Sequence, residues 1–530
     1  MPFLKQTGLL LVLFSLLFSC RKPVSVNWDV DLSIPLVNAD LDIKNFFGDT
    51  LVSSDAGGLL HLKLDREIYA LKLDSLFQLP DTSIVNSFTF QAFVPLTLNP
   101  GQTFTFFPPS ALEFEFGSDA ALKRFDVHSG VLNVKFSNDL SEAMDLVYII
   151  PNATKNGQPL TISATIPPGQ NSLSKTYDLA GYEMNLRGKN GTDYNTIIQT
   201  YTLGVNPNSN TVTVTYGKGA KAELTYSKII PQYIEGYFGK QTLTIDTDTA
   251  RIDLGKTFTS SNFMLDQVKM DFYLQNEIGA EFSASLSDIK SINTSNQNTV
   301  ALQSSQLAAI NLNRASKVGQ TVFPSVKPLY FNNTNSNIVP FLSNLPDKLS
   351  YQGKINLNPL QPSNSSGYND FAFYNTGLRI WADVDIPLRY RADYFLLQSS
   401  GAISVGNTEQ LDRVNTGYFN VIAENGFPFQ ALLQAYLKDE NGVLLDSIFE
   451  PGQNLIPSGV LNSQNDVTSA VHSNLKIPVS ESKIEALKKA KTIEIKTYLL
   501  MPPGPSLINL YEKYKFKIKI IAELNYRVEV

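Results

Sequence analysis

Cysteine occurs once in 530 residues, histidine three times and tryptophan twice. A single cysteine cannot cross-link the chain to itself, so disulfides contribute nothing and the fold must rest on its apolar core. Zinc and thiol chemistry fail on ligand supply. His61, His128 and His472 stand far apart, with no partner at metal-ligand spacing. The Gly-x-Ser-x-Gly elbow, the phosphate-binding loop and the dinucleotide fingerprint are missing as well. Charged residues make up 17% of the chain, for a net charge of −6. Nothing resembles the basic stripe that nucleic-acid binding requires, so no nucleic-acid partner is expected. Beyond residue 20, no apolar run reaches the roughly 18–20 residues of a membrane-crossing helix.

What is abundant is apolar alternation. Apolar residues make up 43% of the chain and aromatics 11%, mostly Phe and Tyr, a composition that favours strands. Val24, Val26, Trp28, Val30, Leu32, Ile34 and Leu36 share one parity, with polar residues between most of them. Period two marks a strand with one buried face. The same signal recurs at Leu132, Val134 and Phe136; at Leu160, Ile162, Ala164 and Ile166; at Val212, Val214 and Tyr216; at Val268, Met270, Phe272 and Leu274; and at Ile380, Ala382, Val384, Ile386 and Leu388. A hairpin is expected where 433–437 meets 443–445 across Asp439, Glu440, Asn441 and Gly442, because Asn-Gly supplies positive φ angles. The clearest strand runs from Tyr514 to Val530, about 55 Å if unbroken. Its other face carries Lys513, Lys515, Lys517 and Lys519, read as a solvated surface that also deters edge pairing.

Three short helices are expected. One runs from a capping box at Ser482 and Glu485 to Ala490, the second from Ser304 to Asn311, and the third from Ser118 to Phe125. The fold class is therefore mainly β, in tandem antiparallel β-sandwich or curled-sheet domains with a few short helices. The length allows about two to four domains. A Gly-aromatic cluster at 230–239 sets the main division. The expected layout is a signal peptide over 1–19, a lipidated tether over 20–27, and β domains over 28–229, 230–375 and 376–530. The last two are open to being one unit.

The first residues carry the most specific motif. Lys5 precedes an apolar run from Gly8 to Phe18, too short for a bilayer span of about 20 residues and shaped like a secretion signal. It ends Leu17, Phe18, Ser19, Cys20, which resembles the bacterial lipobox, with Phe18 in place of the usual small residue. The only cysteine thus falls where an acylated nucleophile belongs. Each buried methylene of an acyl chain adds about 0.8 kcal/mol of membrane affinity, so two or three chains hold firmly.

After this comes a polar tether, then Trp28-Asp29-Val30-Asp31-Leu32-Ser33-Ile34-Pro35-Leu36 and Leu41-Asp42-Ile43-Lys44-Asn45. This start resembles a broad group of large lipoproteins from Bacteroidota. The resemblance implies an outer-membrane address and carries no activity with it. Surface export in that phylum resembles an acidic code just after the cysteine. Arg21 and Lys22 stand there instead, so the periplasmic face is favoured. Four triplets resemble the phylum's O-glycosylation sequon, with acceptors at Thr50, Ser75, Thr249 and Ser447.

Catalytic constellations are thin. Ser172 with Lys175 and Ser480 with Lys483 match a Ser-x-x-Lys spacing, but neither has the further motifs of penicillin-binding enzymes. Carboxylates alternate over Asp246, Asp248 and Asp253 without the turn glycine and terminal glutamate of a calcium loop. No catalytic, metal or cofactor residue is assigned. The expected role is non-catalytic binding or structure in the cell envelope, with a protein or glycan partner. A carrier of lipid in a curled sheet and a glycan-acting hydrolase are the alternatives.

Overall fold

The computed structural model describes residues 27–42, 52–73, 81–91, 93–104, 110–117, 119–169, 172–252, 263–360, 368–406, 408–450, 454–501 and 507–529. The chain is mainly β, as its alternation predicts. Strands β1 (Asn27–Asp42) and β2 (Leu60–Lys72) come first. They are followed by β3 (Ala121–Asn138), β4 (Met144–Lys155) and β5 (Gln158–Ile166). Leu132, Val134 and Phe136 are buried in β3, and Leu160, Ile162, Ala164 and Ile166 in β5. Next are β6 (Glu183–Asn185), β7 (Thr196–Val205), β8 (Gly219–Tyr237) and β9 (Gln241–Arg251). Then come β10 (Lys269–Asn276), β11 (Phe282–Asn293), β12 (Ser325–Phe331), helix α1 (Ile338–Ser343), β13 (Lys348–Leu357) and β14 (Gly377–Pro387). The remainder holds β15 (Tyr394–Ala402), β16 (Val414–Asn425), β17 (Gln430–Lys438), β18 (Leu444–Ser447), β19 (Val471–Pro478), helix α2 (Glu481–Lys489), β20 (Thr492–Leu500) and β21 (Lys515–Glu529).

The fold divides into two compact units, neither contiguous in sequence. Unit 1 comprises Met1–Leu62, Leu254–Asp266 and Pro387–Val530; unit 2 comprises Lys63–Asp253 and Gln267–Ile386. This differs from the expected layout. The boundary at 229/230 falls inside strand β8, at a bulge in its pairing with β3, and β1 pairs with β21 from the far end of the chain. Antiparallel pairing joins distant segments, so linear composition shifts do not mark the units.

In unit 1, one sheet has the order β1-β21-β16-β19 and a second the order β15-β20-β17-β18. Phe419, Val421 and Ala423 of β16, Phe516, Ile518 and Ile520 of β21, and Leu433, Ala435 and Leu437 of β17 are buried. Strand β21 lies between β1 and β16 along most of its length. The expectation that its lysines protect an edge is therefore corrected. Lys515, Lys517 and Lys519 sit on the exposed face of an interior strand, and Lys517 pairs with Glu424 at 3.1 Å. In β1 the buried parity changes where a bulge falls between Pro35 and Val37. One extra residue moves every later side chain to the other face, so Leu36, Val37 and Leu41 are all buried.

Unit 2 holds an 11-stranded curled sheet whose path runs Asp370–Phe373, β8, β3, β6, β4, β7, Thr103–Phe104. Its interior is largely apolar; among its buried polar groups is Gln199, whose Oε1 accepts from the hydroxyls of Tyr148 (3.1 Å) and Tyr201 (2.6 Å). A sheet built on β9, β13 and β11 meets another built on β2, β14, β10 and β12. Ile68, Phe272 and Ile380 from the second and Ile245, Leu286 and Leu349 from the first close around a space of only about 20 Å³.

The helix expectations are corrected in three places. Residues 121–125, expected as helix, belong to β3, where pairing with β6 and β8 takes up the backbone; Ser118 lies outside the described residues. The 304–311 segment makes a single 3₁₀ turn, Ser305–Leu307, capped by Ser304, and then a strand, Ile310–Leu312. Helix α2 forms as expected but starts earlier. Ser480, not Ser482, caps it by accepting from the Lys483 N–H. The expected hairpin joins β17 to β18, with Gly442 at φ 77°.

Candidate functional sites

Strand pairing builds two open polar clefts, one in each unit. The unit 1 cleft, of about 680 Å³, is lined by Gly57, Gly58, Asn462, Asp466, Val467, Thr468, Tyr511, Glu512 and Lys513. Two turns and one side-chain hydrogen bond hold it. Asp55 Oδ1 accepts from the N–H groups of Gly57 (2.8 Å) and Leu59 (2.9 Å). Asn462 Oδ1 does the same for Gln464 and Asp466. Glu512 is held by the Ser54 hydroxyl at 2.7 Å. The Tyr511 ring meets Tyr514 edge-on at 5.5 Å, and the Lys513 ammonium lies 5.5 Å from the Tyr511 ring centre. Beneath it, the Tyr514 hydroxyl accepts from the Val467 N–H at 3.0 Å. Burial, with a smaller contribution from Asp466, pushes that hydroxyl up to about 12. Asp466 Oδ1 is buried and has no hydrogen-bond partner among the described residues.

The unit 2 cleft, of about 630 Å³, lies over β3, β6 and β4, and its lining includes Lys123, Arg124, Asn152, Thr154, Glu183, Asn185 and Arg187. Strand β6 is the organising element. It places Glu183 in register with both Asp126 and Thr154, and Asn185 beside Arg124. Arg124 grips Asp126 through two bonds of 2.8 and 2.7 Å and reaches Glu183 at 3.0 Å. Its guanidinium lies 5.4 Å from the Tyr233 ring, which Lys317 also approaches at 4.6 Å. Tyr233 donates to Glu235 and accepts from Lys317. Burial raises the Asp126 carboxyl and outweighs the lowering effect of Arg124. This wall is a self-paired charge network.

A third feature is a carboxylate row on β14 and β10. Asp271 stands directly opposite Asp383 in register. It is 1% exposed, its Oδ2 lies 2.8 Å from Lys269 Nζ, and its Oδ1 has no hydrogen-bond partner among the described residues. The Asp383 carboxyl is raised, first by burial and then by Asp271 and Asp65. Among the described residues, no group of three His, Cys, Asp or Glu side chains could hold a metal ion.

The residues singled out in the sequence fall elsewhere. Cys20, Thr50 and Ser75 lie outside the described residues. Thr249 is exposed on β9, where Asp248 Oδ1 accepts from its N–H at 2.7 Å. Ser447 is half-buried, and its carbonyl accepts from the buried Lys483 ammonium at 2.5 Å. Ser172 and Lys175 share a strand, Ser172–Asp178, where an odd separation points them to opposite faces. Ser480 and Lys483 meet only as cap and capped N–H. His128 stacks on Tyr374 at 3.7 Å and bonds Gln232 at 2.9 Å, and His61 lies 3.8 Å from Asp55. Both clefts escaped the sequence reading, because each draws on segments with no common spacing.

These features define a mainly β protein with open polar clefts on strand scaffolds. No family model matches the chain, and no curated protein does. Among solved structures, it is similar to a protein described as secreted, from Parabacteroides distasonis ATCC 8503. That match has 15% identity, covers 53% of this chain and 82% of the other, and has a TM-score of 0.29. Among the described residues, no helix is long and apolar enough to cross a membrane.

Proposed function

We propose that this chain is a lipid-anchored protein of the cell envelope, acylated at Cys20 and held at the periplasmic face of the outer membrane. It acts by non-covalent binding, and the ligand of its unit 1 cleft is a glycan. The observation that carries the binding role is that cleft. Its volume of about 680 Å³ falls within the roughly 300–1,000 Å³ typical of ligand sites. Its lining offers an aromatic ring, two carboxylates, an amide and a hydroxyl, which suits the alternating C–H faces and hydroxyls of a sugar. A protein partner would instead need a broad surface of about 800 Å². The carrier alternative gains no support where the sheets of unit 2 face each other. A space of about 20 Å³ holds about one water molecule and no acyl chain.

Two experiments test this reading. Calorimetry on hits from a glycan array is expected to show at least tenfold weaker binding for Tyr511→Ala, about 1.4 kcal/mol. Unchanged affinity in a folded variant removes the cleft from the reading, and release of reducing ends would move it to hydrolysis. Labelled palmitate is expected to enter the wild type and not Cys20→Ala. If the variant still fractionated with membranes and the wild type took up no label, the anchoring proposal would fail.

A further inference from the structure

We infer that the unit 2 cleft binds a carboxylated saccharide, with Arg187 as the anchor for the acid group. Three cationic side chains, Lys123, Arg124 and Arg187, line that cleft against one carboxylate, Glu183. Arg124 is already committed to Asp126 and Glu183, so its charge is spent inside the wall. Arg187 differs. Its guanidinium carbon lies 5.1 Å from the Tyr194 ring centre, a cation–π contact that holds the group in place. Among the described residues Arg187 makes no ion pair, and its buried Nε has no hydrogen-bond partner there. An arginine held against an aromatic ring, with no carboxylate paired to it among the described residues, is free to offer its fork to the two oxygens of a ligand carboxylate. A buried donor left unmet is costly, and an anion against the same guanidinium offsets that cost.

The neighbouring groups favour a sugar acid over an acidic peptide. Thr154 and Asn152 on β4 and Asn185 on the adjacent β6 offer hydroxyl and amide groups along the cleft, which suits a row of ligand hydroxyls. Asn185 Oδ1 accepts from the Arg187 N–H at 3.0 Å, so the amide next to the anchor is already oriented. Lys123 Nζ donates to Asn369 at 3.0 Å, which sets a second positive charge at the cleft wall. The inference does not rest on the glycan reading of the unit 1 cleft, because the two clefts share no residue.

The test uses the full chain in detergent, titrated calorimetrically with a short oligogalacturonate, a neutral oligogalactoside of equal length, and poly-L-glutamate. The expected result is saturable binding of the oligogalacturonate, weakened by added salt, and at least tenfold tighter than the neutral oligomer. Arg187→Gln should lose at least tenfold in affinity, and Arg187→Lys should recover only part of it, since charge without the fork cannot make two parallel bonds. The Arg187→Gln loss should be of the same size in a Tyr511→Ala background, which separates this site from the unit 1 cleft. Equal affinity for acidic and neutral oligomers overturns the inference, as does undiminished binding by an Arg187→Gln protein with wild-type circular dichroism. Poly-L-glutamate binding as tightly as the oligogalacturonate also overturns it, in favour of an acidic peptide.

Discussion

Replacing Asp383 by Asn should stabilise unit 2 at neutral pH. Asp383 faces Asp271 across β14 and β10, and Asp271 is 1% exposed with Oδ1 unpaired among the described residues. Like charges directly opposite on a sheet cost about 0.2–1 kcal/mol. A buried acceptor without a donor costs about 1–3 kcal/mol. An amide at position 383 removes the repulsion and brings an N–H donor to the facing strand position. Asp383→Asn should therefore gain about 1–3 kcal/mol at pH 7. The pH dependence has a definite sign. Burial and the facing carboxylates raise the Asp383 carboxyl in the folded state. Its contribution to stability is thus fully present below the unfolded value of about 3.9 and is lost as pH rises through the higher folded value. The wild type should match the variant near pH 4 and fall behind it as pH climbs to about 7. Raised groups elsewhere, such as Asp126 and Asp370, are common to both proteins and cancel. A chain with two compact units need not unfold in one step, so the assay is hydrogen exchange of the β10 and β14 amides at several pH values. Slower exchange in the variant at pH 7, converging at pH 4, is expected. A gap of equal size at both pH values, or a less protected variant at pH 7, would refute the reasoning.

Three further outcomes concern the scaffold. Lys483 is 4% exposed, donates to the Ser447 carbonyl at 2.5 Å and pairs with Glu450 at 3.1 Å. Lys483→Ala should cost about 2–4 kcal/mol in urea unfolding, and Lys483→Met less, because its stem still fills the space. A Cβ at Gly377 would stand 2.1 Å from the Leu71 carbonyl oxygen. Gly377→Ala should thus push β14 from β2 and cost about 3 kcal/mol, read as faster exchange along both strands. Phe419 is 0% exposed on β16, and Phe419→Ala should cost about 3–5 kcal/mol by leaving a cavity in the unit 1 core.

Facing was legible in the sequence, and partnership was not. Period two assigns each side chain to a face, which is why β3, β5, β10, β14 and β21 bury the expected residues. The rule fails locally where the backbone inserts a residue. Leu36 and Val37 are consecutive and both buried, and only adjacent apolar residues beside Pro35 hint at that bulge. Helix α1 was not anticipated; its N-cap Asn337 makes no cap bond, its side chain bonding Gln303 and Ala301 instead. The helix is also only six residues long with Pro340 inside it, too short a run for a helical period to register.

The same distinction explains why the sites were invisible. Alternation says that Asp271 and Asp383 lie on the polar faces of their strands, but it does not say that they oppose each other. That follows only from register, which depends on long-range pairing. The unit 2 cleft makes the point more strongly. Lys123 and Arg124 come from β3, Asn152 and Thr154 from β4, and Glu183 and Asn185 from β6. The short β6 pairs with β3 on one side and β4 on the other, and this alone brings the groups together. Three residues make too short a run for periodicity to register, yet they decide which charges meet. A lining assembled this way has no sequence spacing to detect, so the informative local signal is a cation whose strand neighbours offer no acid. Arg187, with Leu186 and Gly188 beside it, fits that description. Among the described residues its guanidinium makes no ion pair, which is what the proposed ligand-binding role predicts.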